Sequence, residues 1–305
     1  MKKCFKCQKP LEIAASVHGL HKECFLGWFK LDSNSTAEFR DVALRSEKSD
    51  SAMLSKSINV SFFQGKFKKY SAKLDKRSYI LKVQDKKDYP ELPHVEYLSN
   101  QIAHKLGLMI PNFYLICFLN ELDTFVVHNF MDNYTPGNLI HIYHFIQDNQ
   151  PFSCVRIVKI IEEKIGRIEA VKQFVFLCLF DALIGNHDRH GRNIAFIETK
   201  KGLELAPFYD NPSYIGIEDQ NFLLAQHNPR GKIETSLTNE LTMKDYVSEF
   251  HQMGYGAWLR EFRKQFDSVS IEQMIKNSFL SEKRQMAFSS LMERRIKEFD
   301  NVVLS

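Results

Sequence analysis

The stretch from Glu169 to Asn193 constrains the fold more than any other. Residues Glu169–Ile184 are apolar on nearly every helical face, which predicts a helix buried on all sides. Immediately after it, Gly185-Asn-His-Asp-Arg-His-Gly-Arg-Asn193 carries seven polar or ionisable side chains. The chain then returns to β-favouring residues at Asn193–Ile197 and, past the turn Lys200-Lys201-Gly202, at Leu203–Pro207. A loop between two buried elements holds so many polar groups cheaply only if they line a cleft or bond one another. Asp210, in Ala206-Pro-Phe-Tyr-Asp-Asn211 just past the second run, is a second anchor for the same site.

The surrounding pattern divides in two. Residues 1–30 form a Cys/His cluster, and 31–56 are rich in Ser and charge, as in a linker. Short β-favouring runs follow at Ile58–Phe63, Phe67–Leu74 and Tyr79–Val83. His94–Leu106, after Pro93, reads as a helix with Val95, Leu98, Ile102 and Leu106 on one stripe, and strands follow at Asn112–Phe118 and Thr124–Phe130. Past Pro136 the pattern turns helical, with Cys154–Ile165 before the buried helix and amphipathic helix from Thr242 onward. The fold class is therefore α+β, with a small β-rich N-lobe over 31–132 and a larger helical C-lobe over 133–305. The 25 Phe residues predict a core filled by aromatic rings.

The polar loop has the spacing that phosphoryl transfer uses. Asp188 and Asn193 form D-x-x-x-x-N, which places a base for an acceptor hydroxyl and an amide ligand for magnesium. Asp210 brings a second hard oxygen ligand to the same Mg2+, and ATP phosphates would complete its shell. His190 either orients the Asp188 carboxylate or a phosphate, or bonds within the loop. Lys82, central in Tyr79-Ile-Leu-Lys-Val83, is costly to bury unless partnered, and Glu96 in the first turn of the following helix is placed to hold it. The alternative is a Lys82 on the solvent face of an edge strand. Phe130-Met-Asp132 ends the last N-lobe strand, where a hinge would meet adenine.

These residues resemble the HipA-like serine/threonine kinases, the toxin partners of bacterial toxin–antitoxin systems. The resemblance runs from about Ser57 to Asp210. Ser61-Phe-Phe-Gln-Gly-Lys66 resembles the family's phosphate loop, so that Ser61, Gln64 and Lys66 would face nucleotide. Lys82 matches its nucleotide lysine, Glu96 its acidic partner, Ile184–Asn193 its catalytic loop and Leu205-Ala-Pro-Phe-Tyr-Asp210 its metal-binding strand end. The resemblance implies a two-lobed protein-kinase-like fold, ATP and Mg2+ as cofactors, and a protein Ser or Thr as acceptor. It also implies a helix-turn-helix antitoxin partner and autophosphorylation in the phosphate loop, at Ser61 or alternatively Ser57. Phe62 departs from the pattern, standing where the family has Gly. Only about sixty residues precede the loop, as in the short HipT type, whose missing N-terminal piece is a separate small partner protein.

Cys4-x-x-Cys7 and His21-x-x-Cys24 have the ligand count and spacing of a structural zinc site, with His18 an alternative to His21. The other reading is a set of reduced, metal-free thiols. Cys117, Cys154 and Cys178 sit in apolar segments as buried small hydrophobes. Net charge is only +4, too little to argue direct nucleic-acid contact. No apolar run is long enough to cross a membrane, and no secretory signal opens the chain, so the expected compartment is the cytoplasm. Two other readings compete. Asp188-Arg-His190 also resembles the catalytic loop of phosphatidylinositol kinases, which admits a lipid or small-molecule acceptor, and Phe62 admits a non-catalytic pseudokinase or interaction module.

Overall fold

The computed structural model describes residues 2–45, 68–119, 121–147, 149–216, 232–238 and 241–303. Ser57, Ser61, Phe62, Gln64 and Lys66, with the strand expected at Ile58–Phe63, lie outside the described residues.

The β-rich lobe is an antiparallel sheet of five strands: β1 (Arg40–Leu44), β2 (Lys68–Leu74), β3 (Arg77–Val83), β4 (Phe113–Phe118) and β5 (Leu122–His128), in the order β1-β2-β3-β5-β4. β3 is thus central, between β2 and β5. Side chains alternate across it. Tyr79, Leu81 and Val83 pack into a core with Leu20, Phe25 and Phe29 of the N-terminal segment. Ile80 faces the opposite core, with Phe125, Leu115 and Tyr97. The N-terminal segment carries helix α1 (Lys22–Phe29) and covers the first face, with the Phe29 ring stacked on Tyr114 at 4.1 Å. It shares the sheet's core instead of standing apart as a separate unit.

Helix α2 (Leu92–Lys105) covers the other face. Pro93 in its first turn fits, because that N–H would be unbonded anyway. Val95, Leu98 and Ile102 form the expected stripe, and they join the large core of the second lobe. That lobe holds α3 (Cys154–Lys164), α4 (Ile168–Ile184) and four C-terminal helices: α5 (Met243–Gln252), α6 (Gly256–Gln265), α7 (Ser268–Lys276) and α8 (Glu282–Val303). α4 is buried along most of its length, as its uniform apolarity requires. A small sheet of β6 (Asn138–His141), β7 (Ala195–Thr199) and β8 (Gly202–Leu205) lies beside it.

Several local expectations need correction. The Ser-rich stretch after residue 30 contributes an edge strand, β1, because Ala43 and Leu44 pair with Ser71 and Tyr70 of β2. The region after Pro136 first makes β6, which exists only because Asn138–His141 pairs with β7. The fifth strand stops at His128, and Phe130–Asn133 is a 3-10 turn. Cys154 and Cys178 are buried, but Cys117 is half-buried, its thiol 3.5 Å from Asp123 Oδ1.

Candidate active site

Lys82 comes from the sheet, Glu96 from α2 and Asp210 from beyond β8, and the three meet. Lys82 is only 3% exposed, on the central strand and not on a solvent-facing edge. Its Nζ donates to Glu96 Oε1 and, at 2.5 Å, to Asp210 Oδ1. Lys69 stands directly across from Lys82 on β2, and its Nζ lies 3.9 Å from Asp210 Oδ2. Two like charges opposed across a ladder repel, so this pair needs an anion between them. Burial alone would raise the Asp210 pKa, but the ammonium groups of Lys69 and Lys82 hold it far below the ordinary carboxylate range. Burial would lower Lys82, and the charges of Asp210 and Glu96 reverse that and raise it.

Asp210 adopts φ +53°, a left-handed conformation that side chains seldom take. The turn that imposes it is held by Arg189. That guanidinium is completely buried and pairs with Asp181 near the end of α4 through two bonds, Nε to Oδ2 at 2.8 Å and Nη2 to Oδ1 at 2.9 Å. It also donates to the carbonyls of Tyr209 (2.7 Å) and Asn193 (3.3 Å) and to Asn211 Oδ1 (2.6 Å). Asn211 in turn donates to Asn100 Oδ1, and Asn100 donates to the Glu96 carbonyl one turn back on α2. One hydrogen-bonded chain therefore ties the polar loop, the Asp210 turn and the helix bearing Glu96.

The loop itself is closed by its own groups. The Asp188 N–H donates to Asn186 Oδ1 at 3.0 Å, and Asn193 Nδ2 donates to the Asp188 carbonyl at 3.1 Å. Both Asp188 and Asn193 are buried. The Arg192 N–H donates to His190 Nδ1 at 3.2 Å, so that nitrogen carries a lone pair. Burial, then Lys232 and the neighbouring arginines, pushes His190 down to about 3, and the ring is neutral at physiological pH. His190 thus offers no positive charge to a phosphate. Tyr209 OH donates to the Arg192 carbonyl at 2.8 Å and fixes the far side of the loop.

Of the residues expected at a hinge, Phe130 stacks on Tyr209 and joins an apolar cluster with Ala195, Ile197 and Ala206. Asp132 does not join the Lys82 cluster: its Oδ2 accepts from the Ser78 N–H at 2.6 Å. The sequence reading omitted Arg189, Asp181, Asn211, Lys69 and Lys232. Lys232 is half-buried, and burial depresses its pKa against the opposing charge of Asp188. One signal for the Arg189 pair was legible, namely an aspartate inside an all-apolar helix, which demands a partner.

The donor set suits Mg2+, because Asp210 and Asn193 offer hard carboxylate and amide oxygens and neither a thiol nor a histidine is needed.

A model of the HipA-like C-terminal domain matches residues 56–286. The chain belongs to the HipA-like family. A search of curated proteins by sequence found no match. Among solved structures, the proinflammatory kinase CtkA of Helicobacter pylori superposes with TM-score 0.62 at 17% identity, covering 77% of this chain and 92% of CtkA. HipA of Shewanella oneidensis, solved with HipB and operator DNA, gives TM-score 0.55 at 16% identity over 74% of this chain and 60% of its own. At such identities these structures establish the fold, the two-lobed architecture of HipA-like kinases.

Proposed function

We propose that this HipA-like chain is an ATP- and Mg2+-dependent kinase that phosphorylates serine or threonine of a protein. The observation that carries this is the meeting of Lys82, from the β-rich lobe, with Asp210, from the helical lobe, beside the Asp188–Asn193 loop. ATP supplies the phosphoryl group, with its charge neutralised in part by Mg2+.

The protein's own groups divide the work. Asp188 accepts the proton of the acceptor hydroxyl as that oxygen attacks, so the nucleophile gains charge only as phosphorus receives it. Asn193 and Asp210 would hold Mg2+ through their side-chain oxygens. Lys82 and Lys69 present two ammonium groups to phosphate oxygens, and Glu96 keeps Lys82 oriented when Asp210 is shared with the metal. Phe130 and its apolar cluster offer a wall for the purine. Arg189 touches none of the reacting atoms and positions those that do. His190, neutral and with its ring bonded to the Arg192 N–H, shapes the loop that carries Asp188 instead of transferring a proton itself.

The family further supports a toxin role. The Shewanella HipA, of a toxin–antitoxin system, was crystallised with HipB and operator DNA, and a helix-turn-helix antitoxin is the partner proposed here. Ser61, or Ser57, is the proposed site of self-inflicted phosphorylation, which would set negative charge where ATP phosphates bind and so inhibit. The cytoplasm is the proposed compartment, and among the described residues no helix is long and apolar enough to cross a membrane.

Incubation with γ-labelled ATP and Mg2+, beside either host lysate or phosphoinositide vesicles, tests the acceptor class. Label on protein serine or threonine, and on Ser61 or Ser57 of the chain itself, is expected. Label in lipid alone, or none, would overturn the reading.

A further inference from the structure

The N-terminal segment holds four metal-ligand side chains in one place, none of them part of the phosphotransfer site. Cys4, Cys7, His21 and Cys24 come from two separate turns, and one ligand atom of each lies within 4.8 Å of all the others. Cys7 Sγ is 3.4 Å and Cys24 Sγ 3.8 Å from His21 Nδ1. A tetrahedral zinc site with bonds of about 2.0–2.3 Å has ligand-to-ligand edges of roughly 3.3–3.8 Å. The two thiol–imidazole separations match those edges.

The backbone builds this arrangement. The Cys4 N–H donates to the Lys9 carbonyl and the Gln8 N–H to the Cys4 carbonyl, closing a tight turn around the Cys-x-x-Cys pair with Gln8 at φ +60°. A second turn, Val17 to Leu20, delivers His21 to the N-terminal end of α1, and Cys24 follows in its first turn. His21 Nε2 lies 3.0 Å from the Pro10 carbonyl. A carbonyl can only accept, so Nε2 carries the hydrogen and Nδ1 is left as the ligand nitrogen, facing the thiols. His18 is not an alternative, because its two ring nitrogens are engaged by the carbonyls of Cys117 and Ala37. All three cysteines are free thiols.

The same segment touches both lobes. Leu20, Phe25 and Phe29 pack on the sheet. Gln8 Nε2 donates to the Asn277 carbonyl past the end of α7, and the Phe5 ring meets Phe279 edge-on at 5.0 Å and lies 6.2 Å from His94 of α2. Residues 2–11 are too few to hold a core of their own; Cys4 and Leu11 join the sheet's core, and a metal closing the two turns would add to that hold.

We infer that Cys4, Cys7, His21 and Cys24 bind one structural Zn2+, and that the knuckle it closes braces α2 and the Asn277–Leu280 turn against the sheet. Metal analysis of the full chain is expected to give one zinc per chain. Cobalt(II) exchanged into the same protein should show thiolate charge-transfer and tetrahedral ligand-field bands. Cys7→Ser and Cys24→Ser should lose the zinc. On chelation, amide exchange should accelerate about tenfold or more in residues 92–105 and 277–280 as well as in the knuckle. Protein without zinc that gives only the weak bands of hydrated cobalt would overturn the metal site. Acceleration confined to residues 2–45, or absent, would overturn the brace. None of these measurements involves nucleotide, so the phosphotransfer reading stands or falls separately.

Discussion

Arg189 organises the polar loop, although it stands between the two residues that drew attention there. Its guanidinium binds Asp181 on one side and the carbonyls of Asn193 and Tyr209 on the other, so of the two magnesium ligands proposed here Asn193 is held by it directly and Asp210 follows a residue that is. Arg189→Ala would leave Asp181 buried and uncompensated. A loss of about 3–5 kcal/mol in urea unfolding is expected, with Asp181→Asn in the same background recovering part of it. An Arg189→Ala protein as stable as the native chain would show that the pair contributes nothing. His190 has a different signature. Its folded-state pKa of about 3 lies below the ordinary value of 6.5, so between those limits the unfolded chain binds more protons. Its contribution is therefore fully present above the ordinary value and is lost as pH falls toward about 3. Unfolding measured from about pH 7 down to about pH 4 should show native stability falling more steeply than that of His190→Asn. Parallel curves would mean that the ring titrates normally. Neither result was legible in the spacing of Asp188 and Asn193, which fixes what a loop can ligate and not what holds it in place.

The join between α4 and the loop is where element geometry sets the chemistry. Gly185 ends the helix at φ +72°, and a Cβ there would come within 2.7 Å of the Tyr214 ring and 3.1 Å of Leu291. Gly185→Ala thus carries both backbone strain and a clash with an aromatic side chain. A loss of roughly 1–3 kcal/mol in thermal unfolding is expected, with the polar loop displaced. An unchanged melting temperature would contradict this account of the turn. Elements with strong periodicity were readable in advance: the uniform apolarity of α4, the stripe of α2, and β3 with its single lysine. Weakly patterned strands were not. β1 is exposed along its whole length and β6 is four residues long, and each is a strand only because a partner strand lies beside it. Such pairing is a property of the folded molecule and leaves little trace in local composition.

At the scale of the whole molecule, the site is built across the two lobes. The sheet supplies Lys69 and Lys82, α2 supplies Glu96, and the helical lobe supplies Asp188, Asn193 and Asp210. Asn211 and Asn100 connect these halves through buried hydrogen bonds, and Phe5 and Gln8 connect them again on the knuckle side. The two-lobed plan was legible because β-period and helix-period segments segregate along the chain. The contact between lobes was not, because residues more than a hundred positions apart make it: Lys82 with Asp210 and Asn100 with Asn211. The family-type motifs pointed to the participants, and the geometry supplied their partners. The central claim is phosphoryl transfer with Asp188 as base, and an amide in its place cannot accept a proton. The most direct test is transfer of label from γ-labelled ATP to protein by the native chain and by Asp188→Asn, with and without Mg2+. The account predicts metal-dependent labelling of serine or threonine by the native chain and a loss of more than ~100-fold in Asp188→Asn, whose fold and nucleotide binding are retained. Equal labelling by the variant, or none by the native chain with Mg2+ present, would contradict it.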